Sequence, residues 1–223
     1  MPVLDLIIFD CDGVLVDSER ISNRVFVDAL GEVGVAASLE DMFEYFVGHS
    51  LSQCVDLVHQ HYGYKMDNRF LDRYTSRRDA ALKSELQAVD GVRQMLEKLR
   101  VPFCVASNSE GIKVREMLSI TGLRRCFGEN IYSAADLGKP KPAPDVYLYA
   151  ASQYGVDPAH CLVIEDTHIG AGAALAAGMP VYGYAALTPP ARLLKAGALR
   201  TFYTMHELPG ILHDAFPGSS LPA

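Results

Sequence analysis

No stretch of about 18 consecutive apolar residues occurs in this chain of 223 residues, which excludes a membrane-spanning helix. Basic residues are in the minority. The net charge of −7 argues against non-specific binding to nucleic acid or to anionic lipid. It leaves open an anionic small molecule, since local charge and a metal decide that. Cysteine is sparse and scattered. Cys11, Cys54, Cys104, Cys126 and Cys161 show no CxxC spacing, which removes a disulfide framework and a cysteine zinc site. The histidines form no HExxH pattern, and no GxGxxG follows a strand, so a zinc centre and a dinucleotide site have no support. Neither a basic n-region nor a cleavage site precedes the first apolar run, and with reduced thiols this gives a cytoplasmic expectation.

What is present is a proper core. The chain is 49% apolar and 21% charged, ordinary for a globular protein, and long enough for one large domain or for a core with an insert. The organising stretch is Leu6-Ile7-Ile8-Phe9-Asp10-Cys11-Asp12-Gly13. A short apolar run bounded by turn residues reads as a strand buried on both faces. Asp10 and Asp12 share one side of an extended chain, because side chains alternate with period two. Two acids so placed repel unless a positive charge sits between them. Cys11 points the other way, into packing.

Residues 18 to 86 read as helical. Ser18 is placed to cap a helix to about Glu32, whose apolar face is Ile21, Val25, Phe26, Ala29 and Leu30. Ser38 to Asp41 is a capping-box pattern, Ser50 with Gln53 opens a third helix, and Met66 to Leu86 reads as a fourth. From Asp90, helices alternate with short strands: Pro102–Ala106, Ile131–Ser133, Cys161–Ile164 and Val181–Tyr184, the last strand expected. A short helix at Pro190–Lys195 follows. Alternation of this kind predicts an α/β fold, a doubly wound, Rossmann-like parallel sheet. Its inserted four-helix cap domain covers residues 16–86, and its core covers residues 1–15 and 87–223.

Right-handed crossovers gather the strand ends on one edge. Asp10, Asp12, Ser107, a lysine of the loop Lys139-Pro140-Lys141-Pro142-Ala143-Pro144-Asp145, and Glu165-Asp166 meet there. Two strands ending in acid pairs, with a hydroxyl and a lysine between them, suit phosphoryl transfer. A hard divalent cation, Mg²⁺, relieves the repulsion between carboxylate and phosphate. One carboxylate attacks phosphorus, its neighbour moves protons, and Ser107 and the lysine hold the phosphoryl oxygens.

Asp10-Cys11-Asp12-Gly13-Val14-Leu15-Val16-Asp17-Ser18 resembles the first motif of the haloacid dehalogenase superfamily in its phosphatase form. Ser107-Asn108, Lys141-Pro142-Ala143-Pro144-Asp145 and Glu165-Asp166 resemble the second, third and fourth, in the same order and over nearly the whole chain. The helical insert resembles the cap of the β-phosphoglucomutase-like subgroup. The resemblance implies Asp10 as nucleophile and Asp12 as acid/base. It implies Mg²⁺ on Asp10, Asp12 through its backbone carbonyl, and Asp166, with Glu165 as a partner acting indirectly, behind the direct ligands or through water. Of the two lysines, only Lys141 fits the spacing lysine, proline, any residue, proline, aspartate.

Catalytic residues are thus expected at Asp10, Asp12, Ser107 and Lys141. Substrate contacts are expected at Ser107, Asn108 and Lys141, and in the cap at His49 and Arg20. Gly48-His49-Ser50-Leu51 carries leucine where the mutases have a phosphate-gripping arginine, which favours hydrolysis over a phosphosugar mutase. Asp12 argues against dehalogenation, and Lys65 and Lys83 match a Schiff-base lysine poorly. A receiver-like phosphoaspartate module is the remaining rival, disfavoured by the insert. The expected partner is a small phosphorylated metabolite, a sugar or sugar-acid phosphate, with 6-phosphogluconate one candidate.

Overall fold

The computed structural model describes residues 3–47 and 51–217. The first strand, β1 (Leu6–Phe9), is wholly buried. Its side chains divide between two cores. Ile7 and Phe9 pack with Val105, Val114 and Leu208 on one face. Leu6 and Ile8 pack with Cys104, Val146 and Ala171 on the other. Each such side chain contributes about 1.5–3 kcal/mol, which explains a run with no polar alternation.

Behind β1 come α1 (Ser18–Gly31), α2 (Leu39–Asp41), a π-helical turn (Met42–Phe46), α3 (Leu51–Tyr62) and α4 (Asn68–Glu85). These pack around a third core that includes Phe26, Leu30, Met42, Val58, Phe70 and Tyr74. The capping box at Ser38 forms: its Oγ accepts from Asp41 N–H at 3.1 Å, and Asp41 Oδ2 accepts from Ser38 N–H at 2.8 Å. Ser18 does not cap α1. It lies inside the helix and donates to Asp12 Oδ1 at 2.8 Å. The chain leaves and re-enters the sheet region side by side, with Asp17 N–H donating to Gln87 O and Val89 N–H to Leu15 O, both at 3.0 Å.

The second half runs α5 (Val92–Lys98), β2 (Phe103–Ser107), α6 (Gly111–Ile120), α7 (Arg124–Phe127), β3 (Ile131–Ser133), α8 (Asp145–Tyr154), β4 (Cys161–Glu165), α9 (His168–Ala176), β5 (Val181–Tyr184), α10 (Pro190–Lys195), β6 (Arg200–Phe202) and α11 (Leu208–Ala215). The sheet is parallel, in the order β3-β2-β1-β4-β5-β6.

Val181–Tyr184 is not the last strand. β6 follows it, three residues on the sheet edge with an exposed arginine, too short for a period to be read. α11 opens Leu-Pro-Gly, and a proline in the first turn needs no N–H partner, but its glycine weakens the helical pattern. Strand order reverses at β1, between β2 and β4. In such sheets, ligands bind just beyond the carboxyl ends of the strands at that point. No helix among the described residues is long and apolar enough to cross a membrane.

Candidate active site

Asp10 follows β1, Ser107 ends β2, Glu165 ends β4 and Asp166 follows it. The β1–β4 register carries Asp10 level with Glu165, and Asp10 N–H donates to Ile164 O at 3.0 Å. Lys141 arrives from the proline loop and is buried. Its ammonium donates to Asp10 Oδ1 at 2.6 Å, to Glu165 Oε1 at 2.7 Å and to Ala106 O at 2.9 Å. All three donors are used. Burial pushes Lys141 toward the neutral form, but the carboxylates of Asp10 and Glu165 outweigh this and hold it well above the ordinary lysine range. Lys139 points elsewhere, to Asp145 at 2.5 Å on the surface.

Glu165 was expected among the metal partners, and its geometry is different. Oε1 accepts from Lys141 and from Tyr147 O–H at 2.8 Å; Oε2 accepts from Thr167 N–H at 3.1 Å and Thr167 O–H at 2.9 Å. Four donors saturate the carboxylate and hold it on the lysine. Burial alone would raise its pKa; Lys141 and the other donors bring it below the ordinary value. A Cβ at Gly170 would lie 1.7 Å from Glu165 Oε1, so glycine makes room for this packing.

Asp12 sits in a ring of hydroxyls. Oδ1 accepts from Ser18 at 2.8 Å; Oδ2 accepts from Ser109 at 2.9 Å and Ser107 at 3.3 Å. Asn108 lines the cleft and accepts from Lys141 N–H at 2.7 Å, so it also anchors the lysine loop. Cys11 is buried among the apolar residues of one sheet face.

Asp166 differs from the other acids. It is buried, and neither side-chain oxygen has a hydrogen-bond partner among the described residues. Burial first, then Glu165, Asp10 and Glu19, push its pKa well above the usual carboxylate range. Gly13, at φ +76°, lets the backbone pass so close that a Cβ there would lie 2.2 Å from Asp166 Oδ2. Asp10 is raised to about 8, by burial first and by Glu165 and Asp12, against the pull of Lys141. One ammonium cannot neutralise this set of acids.

Unsatisfied, buried, hard oxygens are what a divalent cation of the Mg²⁺ type takes, with few carboxylates and several waters. Asp10 and Asp166 fit it. No tight group of three acid, histidine or cysteine side chains suited to a metal occurs among the described residues.

A cleft of about 860 Å³ separates these strand ends from the helical block. His49 lies outside the described residues. Arg20 does not line the cleft, which corrects the expectation for it. On α1 the residues facing inward are Ser18, Glu19, Ser22, Asn23 and Phe26. Arg20 is out of phase with that stripe, 58% exposed, and pairs with Asp17 at 3.4 Å. The cleft-facing arginine is Arg78, on α4. Sequence reasoning passed over it, along with Ser109, Tyr147 and Thr167. Only Thr167 carried a local signal: a threonine three residues before Gly170, whose N–H its hydroxyl accepts at 3.0 Å as the helix cap.

The sequence profile of haloacid dehalogenase-like hydrolases matches residues 4–178. Among characterised proteins, the chain is 29% identical over 210 residues to 6-phosphogluconate phosphatase of Escherichia coli K12, covering 94% of this chain and 95% of that one. Among solved structures, it superposes on a haloacid dehalogenase-like protein of unknown function from Agrobacterium tumefaciens C58 with a TM-score of 0.91 and 38% identity, covering 95% and 99% of the two chains. A hydrolase of the same family from Deinococcus radiodurans R1, with bound phosphate and sodium, gives a TM-score of 0.85 at 34% identity, covering 96% and 97%.

Proposed function

This chain belongs to the haloacid dehalogenase-like hydrolases, and from that membership we propose that it is a Mg²⁺-dependent phosphomonoester hydrolase acting on a small phosphorylated sugar or sugar acid. The observation that carries the reading is Lys141, buried between Asp10 and Glu165 with Asp12 alongside in its serine ring.

In this reading, a carboxylate oxygen of Asp10 bonds to phosphorus as the bond to the leaving oxygen breaks, giving an aspartyl-phosphate. Asp12, as its acid, gives that oxygen a proton. Asp12 then takes a proton from water, whose oxygen attacks phosphorus; the bond to Asp10 breaks and phosphate leaves. Ser107 hydrogen-bonds the phosphoryl oxygens, and Lys141 turns one N–H from Asp10 onto them as charge builds. Lys141 can do so because Glu165, Tyr147 and Thr167 fix it from behind. Asp10, Asp166 and the Asp12 main-chain carbonyl would hold a divalent cation, which would supply charge neutralisation between nucleophile and phosphate.

Residues 16–86 form the cap over a core of residues 1–15 and 87–223. A separate apolar core in the helical block supports this division. So do the paired backbone segments where that block joins the sheet. The test is phosphate release from a panel of phosphorylated metabolites, 6-phosphogluconate first, with Mg²⁺ and with chelator. Turnover with Mg²⁺ that chelator stops supports the reading; a chain inert to every ester, or indifferent to chelator, sinks it.

The acids also predict a pH-dependent metal effect. Asp10 and Asp166 have folded pKa values above the ordinary carboxylate range. Without metal, the Asp10 contribution to stability is present at low pH and is lost as pH rises through the carboxylate range toward about 8, and the Asp166 contribution is lost in the same direction. Metal binding must displace the same protons, so it tightens over that window. At pH 8, saturating Mg²⁺ is expected to raise the melting temperature by on the order of 5 °C, and by clearly less at pH 6. Equal shifts at both pH values would contradict the assignment of these two acids.

A further inference from the structure

The cations lining the cleft among the described residues are Arg78, Lys83, Lys113 and Lys141. Lys141 is committed to the phosphoryl end. Lys83 and Lys113 lie on the rim, with side chains 66% and 51% exposed, and are paired with Glu116 at 3.4 Å and Glu110 at 3.2 Å. Arg78 is different. Its side chain is only 23% exposed, and its guanidinium lies 5.7 Å from the centre of the Tyr74 ring. Tyr74 in turn packs edge-on against Phe26, with ring centres 4.9 Å apart. A guanidinium fixed on an aromatic face in a half-closed cleft is a recognition group rather than a solvated charge.

Arg78 donates to its sequence neighbour. Asp79 Oδ1 accepts from its Nε at 3.0 Å and from one terminal nitrogen at 2.7 Å. Asp79 is 45% exposed, so this pair is an easily exchanged surface contact. Between Arg78 and the strand ends lie acceptors and amides. Glu19 reaches Gly13 beside Asp166 and accepts from Asn23 Nδ2 at 3.2 Å, and Ser22 faces the same space. Carboxylate and amide groups suit hydroxyls and repel a second phosphate. One cation at the far end suits one unit of negative charge, and a planar carboxylate matches the guanidinium fork.

We infer that Arg78 is a specificity-determining residue that grips a substrate carboxylate at the end of the cleft opposite Lys141, so that the preferred substrate class is a phosphorylated hydroxy acid. The hydroxyl-bearing carbons lie along Glu19, Ser22 and Asn23, and the phosphate meets Asp10. This inference rests on the phosphatase reading and narrows it.

The test uses matched esters that differ only at the far end: 6-phosphogluconate against sorbitol 6-phosphate, and 3-phosphoglycerate against glycerol 3-phosphate, with p-nitrophenyl phosphate as a substrate lacking the distal group. Wild-type protein is expected to prefer the acid in at least one pair. Arg78→Gln is expected to lower kcat/KM for that acid about 10- to 100-fold, chiefly through KM. The alcohol partner and p-nitrophenyl phosphate are expected to change little, so the acid preference disappears. Arg78→Lys keeps the charge without the fork and should recover part of the preference; it also serves if the glutamine variant folds poorly. Equal hydrolysis of acid and alcohol by the wild type, or an equal loss on every ester in both variants, overturns the role of Arg78 while leaving the phosphatase reading standing. No hydrolysis of any ester by the wild type removes both.

Discussion

Lys141→Ala is expected to abolish phosphate release, with a loss of about 10²- to 10³-fold or more, and to destabilise the protein as well. The ammonium is the buried, shared partner of Asp10 and Glu165. Its removal strands Glu165 as a buried charge and leaves Ala106 O without that donor. Breaking a buried pair from one side costs about 3–5 kcal/mol. Lys141 has a folded pKa above its ordinary value, so its stabilising contribution is fully present at neutral pH and is lost only on the alkaline side of the lysine range. The melting point of the variant should therefore fall throughout the neutral range. Lys139→Ala is the control. That lysine is 62% exposed and pairs on the surface, so its removal should leave melting within about 0.5 kcal/mol of the parent and leave turnover intact. If Lys139→Ala is the dead variant and Lys141→Ala is active, the assignment is reversed.

Asp10→Asn is expected to lose about 10³-fold or more of turnover, with the opposite sign on stability. An amide keeps the shape and can still accept from Lys141, but it cannot attack phosphorus. In the parent, burial pushes Asp10 to about 8, so the metal-free fold holds it protonated while the unfolded chain ionises, and the stability lost this way grows as pH rises toward that value. Asparagine removes this dependence. At pH 8 without metal, the variant should melt at or above the parent temperature, and its Mg²⁺-induced shift should shrink. Dead but stable is the signature of a lost nucleophile. Dead and unstable would place Asp10 in the architecture instead.

Much of this was legible in the chain because it is local. Leu6 to Phe9 is apolar without alternation because its two faces meet two different cores. Asp10 and Asp12 flank Cys11, and the period of an extended strand puts the acids on one side. Lys139 and Lys141 both precede proline; only the spacing to Asp145 separates them, and the side chain near Asp10 is that of Lys141.

What was not legible depends on tertiary phase. Arg20 and Glu19 are adjacent on α1, and a rotation of about 100° per residue decides which of them meets the cleft. Arg78 has no motif; it matters because α4 packs across α1 through Tyr74 and Phe26. Glu165 and Asp166 read as one acid pair, yet successive residues face opposite ways. One is saturated by four donors, and the other has no partner among the described residues. Ser18 has the sequence of a cap and the geometry of an acid's partner.

The central claim is that the Asp10 carboxylate becomes bonded to phosphorus during turnover. The most direct measurement is acid quench of the protein while it is hydrolysing an ester with Mg²⁺, followed by mass spectrometry of the fragment containing Asp10. The account predicts an acid-stable, base-labile phosphoryl group on that fragment, at Asp10, absent when the ester is omitted. Phosphoryl on another residue, or Asp10→Asn releasing phosphate at the parent's rate, would contradict it.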